Sequence, residues 1–215
     1  MSTCSRVAVL LALTADLWLV QSTTYGAQAP AAGRVEAVVV FKAVGDTLQA
    51  VGDAIASLTN RVATLVSTGD RSWEVVDARR TQDALFDLSG QITGIRSSHE
   101  FDAVPAIEHY LDSPRPDEWP TVKQKIGRGL LVSYGVLRQV KTNRSDLMLP
   151  SAYGNVQSLM EPPYILIDLD SSPAPRSRKE LKELRRVLAN YRTLVKRLGA
   201  ARGELNTYID KVPQK

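Results

Sequence analysis

Eight apolar residues at heptad spacing constrain this chain more than any other feature: Phe41, Val44, Leu48, Val51, Ile55, Leu58, Val62 and Leu65 follow at alternating steps of three and four. A second row repeats the rhythm: Leu181, Leu184, Leu188, Tyr191, Val195, Leu198, Arg202, Leu205, Ile209 and Val212, with only Arg202 out of character. A period of 3.5 residues keeps one seam turned toward a partner helix, so both segments are expected to be long helices packed lengthwise. Gly45 and Gly52 flank the first seam seven residues apart. Each glycine costs a helix interior up to about 1 kcal/mol, so two at matching positions suggest close approach of a neighbour.

Breaks in the pattern divide the rest. The first helix should run from Arg34 to Ser67, ended by Thr68-Gly69, and Asp70 or Ser72 can cap a second that reaches Ser97. A shorter helical stretch follows from Phe101 to Asp112, closed by Ser113-Pro114-Arg115-Pro116. A third long helix is expected from Pro120 to about Asn143, slimmed by Gly127, Gly129, Ser133 and Gly135. Residues 145–176 read as a short helix, Ser151–Met160, followed by an irregular, semi-extended crossover through Tyr164-Ile165-Leu166-Ile167. The last helix should span Arg178–Val212. The expected fold is all-α: an antiparallel four-helix bundle with heptad-patterned first and last helices, plus that short helix and crossover between helices three and four.

Residues 1–29 have the order of a secretory signal. Arg6 is positive, Val7–Val20 is apolar apart from Asp16, and small residues follow to Ala27-Gln28-Ala29, with a second small-x-small site ending at Ala31. Fourteen helical residues reach only about 21 Å, short of a bilayer core, so a permanent span is the weaker reading. The expectation is export to the periplasm or beyond the cell, with residues 30–215 forming one helical-bundle domain. Cys4, the only cysteine, precedes the apolar core, so a processed chain holds no disulfide, thiolate site or cysteine nucleophile.

The net charge of +4 is unevenly spread. Residues 176–215 hold 12 Lys/Arg against 4 Asp/Glu, a surplus of +8, whereas Asp70–Glu118 holds 11 acids against 5 arginines. A basic helix beside acidic neighbours in one bundle explains this, and so does a basic face for an acidic partner or an anionic lipid surface. Nucleic acid is set aside, because basic residues are not interleaved with aromatics and no binding motif is present.

Chemistry-bearing patterns are sparse. No glutamate is followed by histidine at the spacing a di-iron bundle uses. His99 and His109 are the only histidines and are expected to lie exposed, or to cap, near a break between the second helix and Pro105. A zinc centre would need them to meet with Glu100, Asp102 or Glu108, which is the weaker reading, and they are too few for a convincing hydrolase triad. The run Ile165–Asp170 resembles the nucleophile motif of haloacid-dehalogenase-type phosphatases, but that fold needs a long series of strands and helices after it, and only 45 residues remain. Gly127-Arg128-Gly129 lacks the lysine of a phosphate loop.

These readings predict no catalytic, metal or cofactor site. They predict an exported, non-enzymatic interaction or structural module that binds a protein, or a second copy of itself, through helix faces. The candidate surface comprises Arg185, Arg186, Arg192, Lys196 and Arg197 on the last helix, and Tyr164, Ile165 and Ile167 in the apolar run. A membrane-surface role for the basic last helix is the alternative. A small-molecule pocket beside the slim third helix is the next.

Overall fold

The computed structural model describes residues 36–67, 78–160 and 164–210, and these are helical throughout their ordered elements. In chain order they form α1 (Ala37–Ser67), α2 (Ala78–Ser97), a π-helix (Ser98–Ala103), α3 (Val104–Asp112), α4 (Trp119–Asn143), α5 (Pro150–Met160), α6 (Tyr164–Ser171) and α7 (Arg178–Ile209). The proposed leader and the cap at Asp70 or Ser72 lie outside the described residues.

On α1 the seven heptad residues from Phe41 to Val62 are buried and Leu65 is partly so. Burial also covers Ala37, Val40, Thr47, Ala50, Ala54 and Thr59. The exposed positions form a stripe through Val39, Lys42, Asp46, Gln49, Asp53, Asn60 and Thr64, with Arg61 beside it. The helix is therefore enclosed by several neighbours rather than paired along one seam, and it packs mainly against α7, α5, α6 and α4.

The direction of each helix follows from its contacts. Gly45 lies against Asn190 and Gly52 against Arg197, equal steps along both chains, so α1 and α7 run parallel. Ser89 bonds Asn206, the His99 ring meets Tyr191, and Tyr110 bonds the Pro175 carbonyl, so the stroke from α2 through α3 opposes α7. Trp119 stacks near Tyr110 while Ser133 reaches His99, which turns α4 back alongside α1. The bundle thus rises and falls in five strokes, and with an odd number of them the first and last helices must point the same way.

Two sequence expectations change here. The crossover at 145–176 is a fourth helical stroke, α5 followed by α6, which descends beside α1. Ile165 and Leu169 enter the core four residues apart, so the apolar run is satisfied as a helix face rather than as an extended strand. The antiparallel pairing expected of four helices gives way to a parallel α1–α7 pair for the same reason.

A third correction concerns the break before Pro105. No break occurs: α2 and α3 are joined through the π-helix, in which the Val104 N–H reaches the His99 carbonyl. Pro105 has no N–H to give the preceding turn, and a wider turn occupies the residues just ahead of it.

The lower end of the bundle is tied by side chains that cap stray carbonyls. Trp119 Nε1 donates to Ser172 O at 3.2 Å, Tyr110 Oη donates to Pro175 O at 3.1 Å, and Lys123 Nζ donates to Asp170 O. α7 then starts on a reciprocal cap. Ser177 Oγ accepts from the Glu180 N–H at 3.2 Å, and Glu180 Oε2 accepts from the Ser177 N–H at 2.8 Å.

Candidate functional site: the basic outer face of α7

α7 is divided sharply around its axis. Leu184, Val187, Leu188, Tyr191, Leu194, Leu198, Ala201 and Leu205 are buried. Leu194 and Ala201, rather than Val195 and Arg202, turn inward, so Arg202 points to solvent and the expected polar interruption of the seam disappears.

Opposite that apolar side, Arg178, Lys182, Arg185, Arg192 and Lys196 are all exposed. At 3.6 residues per turn these positions fall within about 40° of one line, and they extend over roughly 27 Å. The helix's own acids Glu180, Glu183 and Glu204 lie outside this stripe. Arg192 is held by Glu108 of α3 at 2.7 Å. Among the described residues the other four cations make no salt bridge, so their charge is available to something outside the chain.

Of the residues singled out from sequence, Arg185, Arg192 and Lys196 belong to this stripe. Arg186 lies to one side, 3.9 Å from Glu183. Arg197 is turned inward over Gly52 and bonds Asp53 at 2.7 Å, where it joins α7 to α1. The second group does not join the first. Ile165 is in the core, Ile167 is 56% exposed, and the Tyr164 side chain lies outside the described residues. α6 packs against α1, α4 and α5. Arg178 and Lys182 were missed because charge was counted rather than placed on a helical wheel, which shows all five in line.

A second polar cluster was not expected. His99 is fully buried on the π-helix, with Nε2 2.8 Å from Ser133 Oγ. The Ser133 hydroxyl donates to the Gly129 carbonyl at 2.9 Å, so the imidazole must donate from Nε2 and carry a bare Nδ1. Burial holds His99 down to about pKa 4 and pushes the adjacent Tyr191 phenol up. His99 Nδ1 and Tyr191 Oη have no hydrogen-bond partner among the described residues. Sealed from solvent, this Ser–His pair meets no dissolved substrate in this conformation. His109, in contrast, is exposed as expected, 3.5 Å from Glu118.

The same cluster accounts for the slim α4. Its Gly129 admits the His99 ring, and Gly127 faces Leu166 and Leu169 of α6. Open surface grooves lie elsewhere: one of about 480 Å³ beside Asp53, Arg61 and Leu149, and one of about 330 Å³ beside Glu36, Pro173 and Lys179. Among the described residues no three His, Cys, Asp or Glu side chains converge to hold a metal ion, and no helix is long and apolar enough to cross a membrane.

No family model, no curated protein and no solved structure matches this chain.

Proposed function

We propose that this chain is an exported, non-enzymatic helical bundle that works as an interaction module, docking by charge through the outer face of α7. The export element rests on the apolar segment Val7–Val20 and its flanks. The docking element rests on one observation: five cations in line on a rigid helix, four of them without an ion pair among the described residues. A helix whose apolar side is already used in the core keeps such a stripe in one plane, so the charges act together rather than as independent flexible groups. The first row from Phe41 to Val62 and Leu184, Leu188, Tyr191, Leu198 and Leu205 of the second are buried within the chain, which favours outer faces over apolar ones for a partner.

The test is retention on a polyglutamate-coated surface. Lys182→Glu, Arg185→Glu and Lys196→Glu combined should lower affinity at least about tenfold at low salt, an effect that salt diminishes. The control reverses three exposed arginines off the stripe, Arg128, Arg138 and Arg202, and so carries the same net charge. It should bind nearly as the unmodified protein does. Equal losses in both triple variants would mean that net charge alone is at work, and the proposed site would be withdrawn.

A further inference from the structure

The neighbour of the basic stripe along the surface is the α2–π–α3 stroke, and its outward side is unusual. Phe86 is 69% exposed and Phe101 70% exposed. They lie roughly 22 Å apart along the stroke at the helical rise. Between them the exposed positions are Asp87, Gly90 and Gly94, with Thr93 and Ser97 partly exposed, and a Cβ added at either glycine would meet nothing within 4 Å. Exposed glycines weaken a helix, and among the described residues nothing lies where their side chains would be. Their effect is to leave the two phenyl rings as the outermost groups of that side.

The wider turn of the π-helix matters to this layout. It places His99 in the core and Phe101 outside within three residues. Phe101 thereby returns to the line that Phe86 begins.

The phenyls and the cations belong to one face. The edge of α2 that meets α7 is marked by Ser89, bonded to Asn206, and by Arg96, whose guanidinium lies over Gly199. Its core edge is marked by Leu85, Leu88, Ile92 and Ile95. On α7, Gly199 and Asn206 mark the edge toward α2. Going around each helix from that shared seam, away from the core, leads to Phe86 and Phe101 on one and to Arg178–Lys196 on the other. Both outward sides therefore point to the same side of the two-helix layer.

We infer that this face seats on a bilayer carrying anionic lipid, with the α7 cations against the phosphates and Phe86 and Phe101 inserted at headgroup level. The inference rests on the docking role proposed above and names what the stripe docks on. Charge supplies the attraction of the cations to an anionic surface. The phenyls supply the apolar part of an interfacial contact, which α7 cannot provide because its own apolar side is in the core. A protein partner fits less well. Tight protein interfaces gather their aromatic anchors in a desolvated centre, whereas these two stand singly at a distance on a face with no large apolar residue between them. Asp83 and Asp87 are exposed on the same outward side of α2, about 60° and 100° round from Phe86 in the direction away from α7, so they flank the phenyl on its far side from the cations. Glu100 is paired with Arg96 and Glu108 with Arg192, so the acids nearest the seam are neutralised within the chain.

The experiment uses sedimentation with vesicles of phosphatidylcholine alone and of phosphatidylcholine mixed equally with phosphatidylglycerol. Polyglutamate retention is measured alongside. Binding is expected to the mixed vesicles only and to fall with salt. Phe86→Ser with Phe101→Ser should weaken it at least about fivefold while leaving polyglutamate retention unchanged. Because both side chains are largely exposed, their removal leaves the core intact, and thermal melts check this. A Phe86→Trp variant gives an independent reading: its emission should shift to the blue with mixed vesicles and not with polyglutamate. Retention on polyglutamate without vesicle binding would overturn the bilayer and leave the docking reading standing. Vesicle binding unchanged by loss of both phenyls would overturn the insertion. A stripe-reversed protein that still binds polyglutamate as before would remove the docking reading beneath both.

Discussion

His99 Nε2 lies 2.8 Å from Ser133 Oγ in the interior of the bundle, and the ring is held neutral there by burial alone, with its pKa lowered to about 4. An unfolded chain would protonate the same imidazole near 6.5. The unfolded state therefore takes up the proton first as pH falls. The stability that depends on a neutral His99 is complete above about pH 6.5 and is lost progressively toward pH 4. The shift corresponds to about 3 kcal/mol by pH 4. Urea unfolding at stepwise lower pH should show this loss, and His99→Gln should flatten the part of the curve between pH 6.5 and 5, where few carboxylates titrate. Parallel curves for the two proteins would contradict it.

Gly129 and Gly52 look alike in sequence but should respond oppositely to alanine. A Cβ at Gly129 would sit 2.7 Å from Nδ1 of the enclosed His99 ring. The ring has no room to move, and overpacking of this kind costs about 1–3 kcal/mol, more than the helix gains from alanine. At Gly52 the Cβ would sit 2.6 Å from Arg197 Nη1, the far end of a flexible side chain. The guanidinium can swing away, with loss of a partly exposed Asp53 pair worth about 0.5 kcal/mol against a helix gain of about 1. Denaturation midpoints should fall for Gly129→Ala and hold or rise for Gly52→Ala.

Arg202 stands in a heptad position yet points to solvent. Arg202→Leu should change stability by less than about 0.5 kcal/mol, as surface substitutions do. A loss of several times that size would place the arginine in a buried contact instead.

The parallel α1–α7 pair makes a distance prediction. With Gly45 level with Asn190, Asn60 comes level with the end of α7 near Arg202, whereas Arg178 is roughly 40 Å away by helical rise. In a chain with Cys4 replaced, spin labels at 60 and 202 should report a short separation, and labels at 60 and 178 a long one. The reverse order would require the antiparallel arrangement.

Much of the helix layout was legible in the chain. The heptad from Phe41 to Val62 marked buried positions correctly because side-chain period and helical pitch are local properties. The Pro-rich break at 113–116 lies between α3 and α4, and Ser177 with Glu180 has the spacing of the capping box that starts α7. The basic stripe was readable on a helical wheel, although charge counting found only part of it.

The rest depended on what each helix meets. Whether Ile165-Leu166-Ile167 forms strand or helix was settled by the space between α1 and α4, which takes a helix face. That outcome added the fourth stroke and made the outer helices parallel. The burial of His99 arose because Gly129 and Ser133, thirty or more residues away, leave room for an imidazole and one hydrogen bond. The exposure of Phe86 and Phe101 arose because their neighbours fill the core without them. Sequence by itself determined the helices and their apolar sides, since both depend on residues within a few turns of one another. Only the tertiary structure decided their direction, their neighbours and which groups were left facing outward, since these depend on contacts between residues far apart in the chain.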